Sequence, residues 1–242
     1  MALHFLVDAA DAGPGDAVVI AGAEAHHAAS VRRVRPGEQV TVGDGRGVWL
    51  TGAVESAQPR EVIVRVADRR EIPPPSRRLV LVQALAKGDR DELAVQAATE
   101  LGIDEVVPWQ ASRSISRWDG PKADKGRRRW ASIVREAAKQ AHRVWVPEVT
   151  APVTTAQLAR RAAASLVLVL EPTAASALSG IDLGDEGDIL LVVGPEGGLA
   201  ADELAMLADA GALPVRLGET VLRTSTAGPA ALAVVSVALG RW

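Results

Sequence analysis

The sequence predicts an α/β protein made of a small N-terminal β-barrel domain and a C-terminal domain with a parallel sheet. Short β-branched runs precede three consecutive prolines, Pro73–Pro75, and apolar runs alternate with helical patterns after them. Three prolines in a row cannot continue the interior of a helix or a central strand, so they indicate a stiff linker. Alternation of strands and helices is typical of a parallel sheet. We therefore predict domains at residues 1–72 and 79–242, joined by a Pro-rich linker at 73–78.

The N-terminal domain is predicted to be all-β apart from one short helix at residues 23–30. Its apolar residues come in short runs, and the glycines and aspartate of residues 43–47 are typical of a hairpin turn. The predicted strands are Val18–Ile20, Gln39–Val42, Gly47–Leu50 and Val62–Val66.

The C-terminal domain alternates predicted strands with predicted helices. The strands are Arg78–Leu85, Glu105–Trp109, Leu166–Leu170, Ile189–Val193 and Pro214–Arg216. The helices are Asp89–Leu101, Lys122–Gln140, Ala200–Ala210 and Thr226–Leu239. In the first of these helices, the spacing places Leu93, Ala97 and Leu101 on one apolar face. The last helix carries few charges, so we predict that it is buried in the fold or in a subunit interface.

Composition excludes several classes of protein. The 242 residues include no cysteine, which excludes disulfides, thiolate metal sites and cysteine nucleophiles and is compatible with a cytoplasmic location. His26 and His27 are adjacent and have no third ligand nearby in sequence, so no metal site is predicted. The apolar runs Leu166–Leu170 and Ile189–Val193 are far shorter than the ~20 residues that span a bilayer. Residues 1–8 lack the basic start of a targeting segment, and we expect no membrane partner.

The charge is unevenly distributed along the chain. The net charge is −3, but residues 113–143 hold 10 basic and 3 acidic residues. Trp118, Trp130 and Trp145 lie within or just after this stretch. Arginine can bind phosphate in a bidentate manner and tryptophan can stack on unpaired bases, so the stretch predicts a polyanion-binding surface. The alternative is a solvated helix face whose tryptophans pack into the core.

Two glycine-marked loops follow apolar runs in the last quarter of the chain. The first covers residues 194–198 and the second residues 217–224. Such turns build ligand sites at the carboxyl ends of strands in α/β proteins. Glu196 in the first loop would repel phosphate, and no dinucleotide-binding G-x-G-x-x-G follows a predicted strand. The loops therefore suit a neutral or cationic ligand with an adenine-like face, although each could also be an ordinary strand-to-helix turn.

These loops resemble the cofactor loops of the SPOUT methyltransferases, and more narrowly those of the bacterial family that methylates N3 of a uridine in small-subunit ribosomal RNA. Five segments carry the resemblance in the family's order: residues 83–90, 99–102, 129–130 with 136–140, 194–198 and 222–224. The N-terminal match, through His26-His27 and residues 31–34, is looser. The resemblance implies a trefoil knot around S-adenosylmethionine, a PUA-like RNA-binding barrel and a homodimer. It also implies small-subunit ribosomal RNA, naked or in an assembled particle, as the partner.

The reaction that the resemblance implies requires a cation that stabilises the uridine anion, because a neutral imide nitrogen is a poor nucleophile. Arg223, in a loop expected to hold the cofactor, is the candidate for this role, and Glu196 and Glu171 are candidate bases or cofactor contacts. Where the family carries an acidic residue after Leu-Arg-Thr, this chain has Ser225. Alternatively, Arg223 forms a structural salt bridge with Glu196. The predicted cofactor-binding residues are Leu170, Glu171, Pro172, Gly194, Pro195, Glu196, Gly197, Gly198, Leu217, Gly218, Val221, Leu222, Arg223 and Thr224.

RNA contacts are predicted on both domains. The residues are His26, Arg32, Arg33, Lys87, Arg90, Arg113, Arg117, Arg127, Arg128, Arg129 and Arg143. Two other functions fit the same pattern. One is a methyltransferase of this fold that acts on tRNA or large-subunit ribosomal RNA. The other is an RNA-binding or ribosome-assembly factor without catalytic activity.

Overall fold

The structure is a computed structural model that describes residues 2–242, so residue 1 of the predicted barrel domain lies outside the described residues. The chain forms two compact units. The first comprises residues 2–75 and 138–146, and the second residues 76–137 and 147–242.

The first unit contains one five-stranded sheet. Its strands are β1 (Leu3–Leu6), β2 (Ala17–Ala21), β3 (Gln39–Gly43), β4 (Val48–Gln58) and β5 (Glu61–Glu71), in the order β1-β3-β4-β5-β2. β1 pairs with β3 in parallel, and the other pairs are antiparallel. This sheet forms a half-barrel, which confirms the predicted N-terminal barrel domain. β1 was not predicted, and β4 and β5 are both longer than predicted.

Buried and outward-facing residues alternate along the strands of this sheet, and the buried ones form the core. On β5, Val62, Val64 and Val66 are buried while their neighbours face outward. Gly52 lies at a register shift between β4 and β5, where an added Cβ would collide with the backbone of Arg65. The predicted helix at 23–30 is α1 (Gly22–His26), which continues directly into one π-helical turn, His27–Val31.

The second unit contains a six-stranded sheet that is parallel throughout, as predicted. Its strands are β6 (Leu79–Ala84), β7 (Glu105–Trp109), β8 (Glu148–Val149), β9 (Ser165–Leu170), β10 (Asp188–Val193) and β11 (Leu213–Val215), in the order β11-β9-β10-β6-β7-β8. Every residue of β6 and β7 is buried. A parallel sheet covered on both faces favours nearly continuous apolar runs, to which Gln83 and Glu105 are the buried polar exceptions in these strands. The two-residue strand β8 was not predicted.

Five α-helices belong to the rest of the chain. They are α2 (Arg90–Glu100), α3 (Pro121–Gln140), α4 (Thr155–Arg161), α5 (Ala201–Asp209) and α6 (Thr224–Ala238). α4 was not predicted, although its start carries a recognisable signal. Thr154 and Gln157 form a capping box, in which each side chain bonds the other residue's backbone N–H.

The predicted buried face of α2 is wrong. Leu93 is 50% exposed, and the buried residues include Ala94, Val95 and Ala98 instead. The helix packs against both β6 and α6, and small alanines allow close approach to these two neighbours. The large apolar side chains of α2 therefore do not mark its buried face, which is formed by smaller residues.

The strand order places three strand ends side by side. β9 lies between β11 and β10, and all three run in the same direction. The loops that follow them begin at residues 171, 194 and 216, at one edge of the sheet. The two glycine loops therefore meet next to the start of the segment that follows β9.

Candidate active site

A cavity of about 420 Å³ lies at the carboxyl ends of β9, β10 and β11. Backbone-rich loops form most of its wall. The lining residues are Arg90, Leu170, Glu171, Pro172, Val193, Gly194, Pro195, Glu196, Gly198, Leu199, Val215, Arg216, Leu217, Gly218, Thr220, Val221, Leu222, Arg223, Thr224 and Ala227. All predicted cofactor residues except Gly197 are among them.

The loop after β10 is shaped by its glycines. Gly198 donates its N–H to the carbonyl of Pro195 at 2.9 Å and has a φ of 69°, a left-handed conformation that favours glycine. At Gly194, an added Cβ would lie 2.5 Å from Leu199 Cδ1. The first position needs glycine for its backbone conformation and the second for space.

A buried polar relay connects this loop to the start of α6. Gln83 Nε2 donates to Thr224 Oγ1 at 2.9 Å, and Thr224 Oγ1 donates to the carbonyl of Gly194 at 3.1 Å. Gln83 has no solvent exposure. Gln83 Nε2 donates to the carbonyl of Ala84 at 3.2 Å as well as to Thr224, so the relay fixes the loop after β10 and the start of α6 relative to β6. The signal for it was one glutamine inside an otherwise apolar strand.

Glu196 is held by the loop between β6 and α2. Its Oε1 accepts a hydrogen bond from Arg90 Nη1 and another from the backbone N–H of Lys87, each at 3.2 Å. The alternative salt bridge between Glu196 and Arg223 is therefore wrong. Within residues 2–242, Arg223 has no ion-pair partner, and its exposed side chain lines the cavity.

A second carboxylate, which the sequence analysis did not single out, supports a neighbouring loop. Glu203 accepts hydrogen bonds from Ser112 N (3.0 Å), Ser112 Oγ (2.6 Å) and Thr155 Oγ1 (2.6 Å). Burial acts to raise the pKa of Glu203, but these hydrogen bonds outweigh it, so the pKa lies below its ordinary value. Arg113, the residue after Ser112, donates a hydrogen bond to the carbonyl of Gly197 at 3.1 Å. Glu203 thus positions a basic loop against the loop after β10.

The predicted RNA-binding residues differ in their surroundings. Arg129 is engaged by both carboxylate oxygens of Glu92, and Arg90 and Arg113 bond to the cavity loops as described. Arg143 is half-buried. The others are exposed on their own units: His26, Arg32, Arg33, Lys87, Arg117, Arg127 and Arg128.

The aromatic and basic residues of the stretch 113–143 do not all face solvent. Trp130 is 1% exposed and packs edge-on against Trp118, with ring centroids 5.0 Å apart. Lys139 is 5% exposed and pairs with Glu24 at 3.1 Å. Trp130 is therefore a core residue and cannot stack on a base, whereas Arg127 and Arg128 present their charges to solvent.

Residues 2–242 contain neither a candidate metal-ligand group nor a helix able to span a membrane. No group of three or more histidine, aspartate or glutamate side chains is arranged to hold a metal ion there. None of the helices in this range combines the length and apolar character needed to cross a membrane.

Comparison with known proteins identifies the family. The model of an RNA methyltransferase domain matches residues 73–236, and that of an RNA methyltransferase PUA domain matches residues 20–67. The chain belongs to this RNA methyltransferase family. It is 46% identical to a Mycobacterium bovis protein named ribosomal RNA small subunit methyltransferase E, over 100% of this chain and 94% of the relative.

Two solved structures resemble the whole chain. The ribosomal RNA small subunit methyltransferase E of Neisseria gonorrhoeae, bound to S-adenosyl methionine, has a TM-score of 0.87 at 26% identity, covering 98% of each chain. A Legionella pneumophila protein solved with the cofactor SAM has a TM-score of 0.87 at 30% identity and the same coverage. The likeness extends over both units of the fold, so this member of the family carries the barrel as well as the parallel-sheet domain.

Proposed function

We propose that this protein is an S-adenosylmethionine-dependent methyltransferase that methylates N3 of a specific uridine in small-subunit ribosomal RNA. The observation that carries the proposal is the cavity formed by three strand-end loops, in a chain whose full-length relative is named for this RNA. A structural neighbour over 98% of the chain binds S-adenosyl methionine. We further propose the domain boundaries 1–72 and 79–242 with a linker at 73–78, and a trefoil knot in the second domain.

The residues of the cavity fit the proposed cofactor. A volume of about 420 Å³ lies within the range of small-molecule sites. Leu170, Val221 and Leu222 offer apolar surfaces to an adenine ring, while the loop backbones supply amide and carbonyl groups for its polar edge. We assign cofactor binding to these loops and to Gly194, Gly218 and their neighbours.

Arg223 is assigned to stabilise charge on the uridine. When bound, S-adenosylmethionine supplies a methyl group whose transfer breaks its carbon–sulfur bond and forms the bond to N3. A neutral imide nitrogen is a poor nucleophile, so N3 must lose its proton. A guanidinium placed beside the uracil favours the resulting anion. Arg223 suits this role because it lines the cavity and has no carboxylate partner in residues 2–242.

Glu196 is assigned to accept the N3 proton. Both hydrogen bonds that hold it, from Arg90 and from the backbone of Lys87, go to Oε1. This arrangement fixes the carboxylate at the cavity wall and leaves Oε2 to take the proton. Position 225, where the resemblance would place an acidic residue, is a serine in this chain. We therefore assign the role of base to Glu196.

The partners follow from the charge distribution and the family. The exposed arginines Arg117, Arg127 and Arg128 provide phosphate contacts on the second unit, and Arg32 and Arg33 provide them on the first. We propose that the substrate is ribosomal RNA within an assembled small subunit, that the protein acts in the cytoplasm and that it works as a homodimer.

Cofactor binding tests the assignment of the cavity. Val221 lines the cavity and is 77% exposed, so Val221→Trp adds bulk there without disturbing the core. We expect isothermal titration to show saturable binding of S-adenosylmethionine to the wild type and at least tenfold weaker binding to this variant. Leu93→Trp is the control, because Leu93 is 50% exposed on α2 outside the cavity. Equal affinities in all three proteins would place the cofactor elsewhere.

The RNA target requires a separate experiment. Nucleoside mass spectrometry of ribosomal and transfer RNA, from cells with and without the gene, should show loss of N3-methyluridine from small-subunit RNA alone. Restoration by the wild type but not by Arg223→Gln would assign the reaction to this cavity. Loss of a methyl group from tRNA or large-subunit RNA would support the first alternative function. An unchanged set of modified nucleosides would support a binding factor.

A further inference from the structure

Gln83 is a polar side chain in an interior strand of the parallel sheet, and one of its atoms has no partner. Every residue of β6 is buried, and Gln83 has no solvent exposure. Its side-chain oxygen, Oε1, has no hydrogen-bond partner within residues 2–242. A fully buried carbonyl oxygen without a partner lowers the free energy of unfolding, so an apolar side chain of similar size would stabilise this strand better. The presence of a glutamine here therefore needs a reason other than stability.

The neighbours of Gln83 fix the orientation of its amide group. The carbonyl of Ala84 accepts a hydrogen bond from Nε2 at 3.2 Å. Thr224 Oγ1 donates its only proton to the carbonyl of Gly194 at 3.1 Å, so it can only accept from Gln83, at 2.9 Å. Both contacts therefore require an N–H donor. Exchanging the two ends of the amide would lose both hydrogen bonds, which is why Oε1 is the atom left without a partner.

The surroundings of Oε1 are mainly apolar. It lies 3.9 Å from the position that a Cβ on Gly228 of α6 would occupy. The same added atom would lie 2.8 Å from Leu81 Cδ1 and 3.2 Å from Val193 Cγ2, so α6 packs closely on β6 and β10 at this point. Close packing against apolar groups leaves Oε1 unsatisfied while both protons of Nε2 are used.

The hydrogen bonds of Gln83 lead to groups that line the candidate active site. Gly194 and Thr224 both line the cavity, and Thr224 directly follows Arg223, the residue assigned to stabilise the uridine anion. Thr224 is 7% exposed whereas Arg223 is exposed, so the buried threonine anchors the chain beside the arginine. Because the threonine hydroxyl accepts from Gln83, its proton is directed at Gly194. The glutamine thus ties Arg223 to the loop that carries Glu196.

We propose that Gln83 is a positioning residue for methyl transfer, which acts through Thr224 to hold Arg223 and the loop after β10 in a fixed relation. The inference rests on the proposed function, because it concerns the same site. The rate of an in-line transfer depends on the alignment of the reacting groups, and a small misplacement can lower it about 100-fold. Cofactor binding is less sensitive to such a misplacement, because the loop backbones remain available to the ligand.

Gln83→Met removes the amide with little change of shape, since methionine is also unbranched and has no donor. The assay follows transfer of a tritiated methyl group from S-adenosylmethionine to small ribosomal subunits purified from cells that lack the gene. We expect the maximal rate to fall about 10- to 100-fold. Titration should give a cofactor affinity within about threefold of the wild type. The midpoint of urea unfolding should stay unchanged or rise, because the substitution removes the unsatisfied oxygen and leaves Thr224 bonded to Gly194.

Leu79→Val is the matched control, at the other end of the same strand. Leu79 is fully buried in β6 and lies outside the cavity wall. Deleting a methylene group from the core should lower the midpoint of urea unfolding and leave the maximal rate unchanged. The two variants therefore separate loss of stability from loss of alignment.

A double-mutant cycle tests the route from Gln83 to the site. Thr224→Val removes the hydroxyl through which the glutamine is proposed to act. The double variant should then transfer methyl groups no more slowly than Thr224→Val alone. Losses that multiply would show that the two residues act independently and would overturn the proposal.

Three results for Gln83→Met would also overturn the proposal. An unchanged maximal rate would show that the amide has no part in the reaction. A weaker cofactor affinity at an unchanged maximal rate would assign the amide to cofactor binding alone. A midpoint of urea unfolding that falls together with the rate would make Gln83 an ordinary structural residue. A wild type that neither binds the cofactor nor transfers a methyl group would instead remove the proposed function, and this inference with it.

Discussion

At the scale of single residues, Arg223 tests the assigned chemistry. Its guanidinium is exposed in the cavity wall and free of carboxylate partners within residues 2–242, so substitution should disturb little besides the reaction. We expect Arg223→Gln to lower the single-turnover rate of methyl transfer by about 10²–10³-fold, the usual cost of losing one preorganised charge stabiliser. The affinity for S-adenosylmethionine should change less than about threefold, as titration would show.

The matched control is Arg117→Gln, which removes an exposed arginine that does not line the cavity. It should raise the RNA concentration needed for half-maximal rate and leave the rate at saturation unchanged. Equal losses of rate in both variants would show that Arg223 contributes only general charge.

His4 should make the protein sensitive to acid. Burial, aided by His142 and Lys139, lowers its pKa from 6.5 to about 4 in the folded chain, so the unfolded chain takes up the proton first as the pH falls. The free energy of unfolding therefore falls by about 3 kcal/mol as the pH drops from ~6.5 to ~4. Above pH ~6.5 this contribution is fully present. The difference in urea unfolding free energy between wild type and His4→Asn should shift by most of that amount. A pH-independent difference would contradict the assignment.

At the scale of elements, the first turn of α5 offers a matched pair of carboxylates. Asp202 and Glu203 both complement the helix dipole, but only Glu203 is buried and bonded to Ser112 and Thr155. Glu203→Ala should lower the unfolding free energy by about 3 kcal/mol, because it leaves buried donors unsatisfied. Asp202→Ala should cost under about 1 kcal/mol. Urea denaturation of both variants measures the difference, and similar costs would mean that only the dipole matters.

Predicted and observed elements differ for identifiable reasons. The mainly apolar strands β6, β7 and β10 were predictable because burial on both faces favours such runs. The exposed position of Leu93 was not, because the face of α2 is set by its neighbours β6 and α6 rather than by its own pattern. The strands β1 and β8 are defined by pairing with strands distant in sequence, a property that no local pattern carries.

At the scale of the whole molecule, α6 contributes exposed apolar surface on which the proposed homodimer can be tested. Val237 is 62% exposed and lines an apolar groove with Leu178, Ile181 and Val234. Exposed apolar patches of this kind mark interaction sites. We expect sedimentation velocity to give a dimer for the wild type and a monomer for Val237→Arg, since burying an unpaired charge disfavours association. A dimeric Val237→Arg, or a monomeric wild type, would place subunit contacts elsewhere or exclude them.

The sequence by itself determined the two-part α/β organisation and the positions of the glycine loops, because strand burial and turn geometry are encoded locally. It also determined the basic stretch, residues 113–143, whose exposed members include Arg127 and Arg128. Only the tertiary structure decided that Glu196 pairs with Arg90 rather than Arg223, and that Gln83 reaches Thr224. These contacts join residues up to 141 positions apart, and the strand order that brings them together leaves no trace in local periodicity.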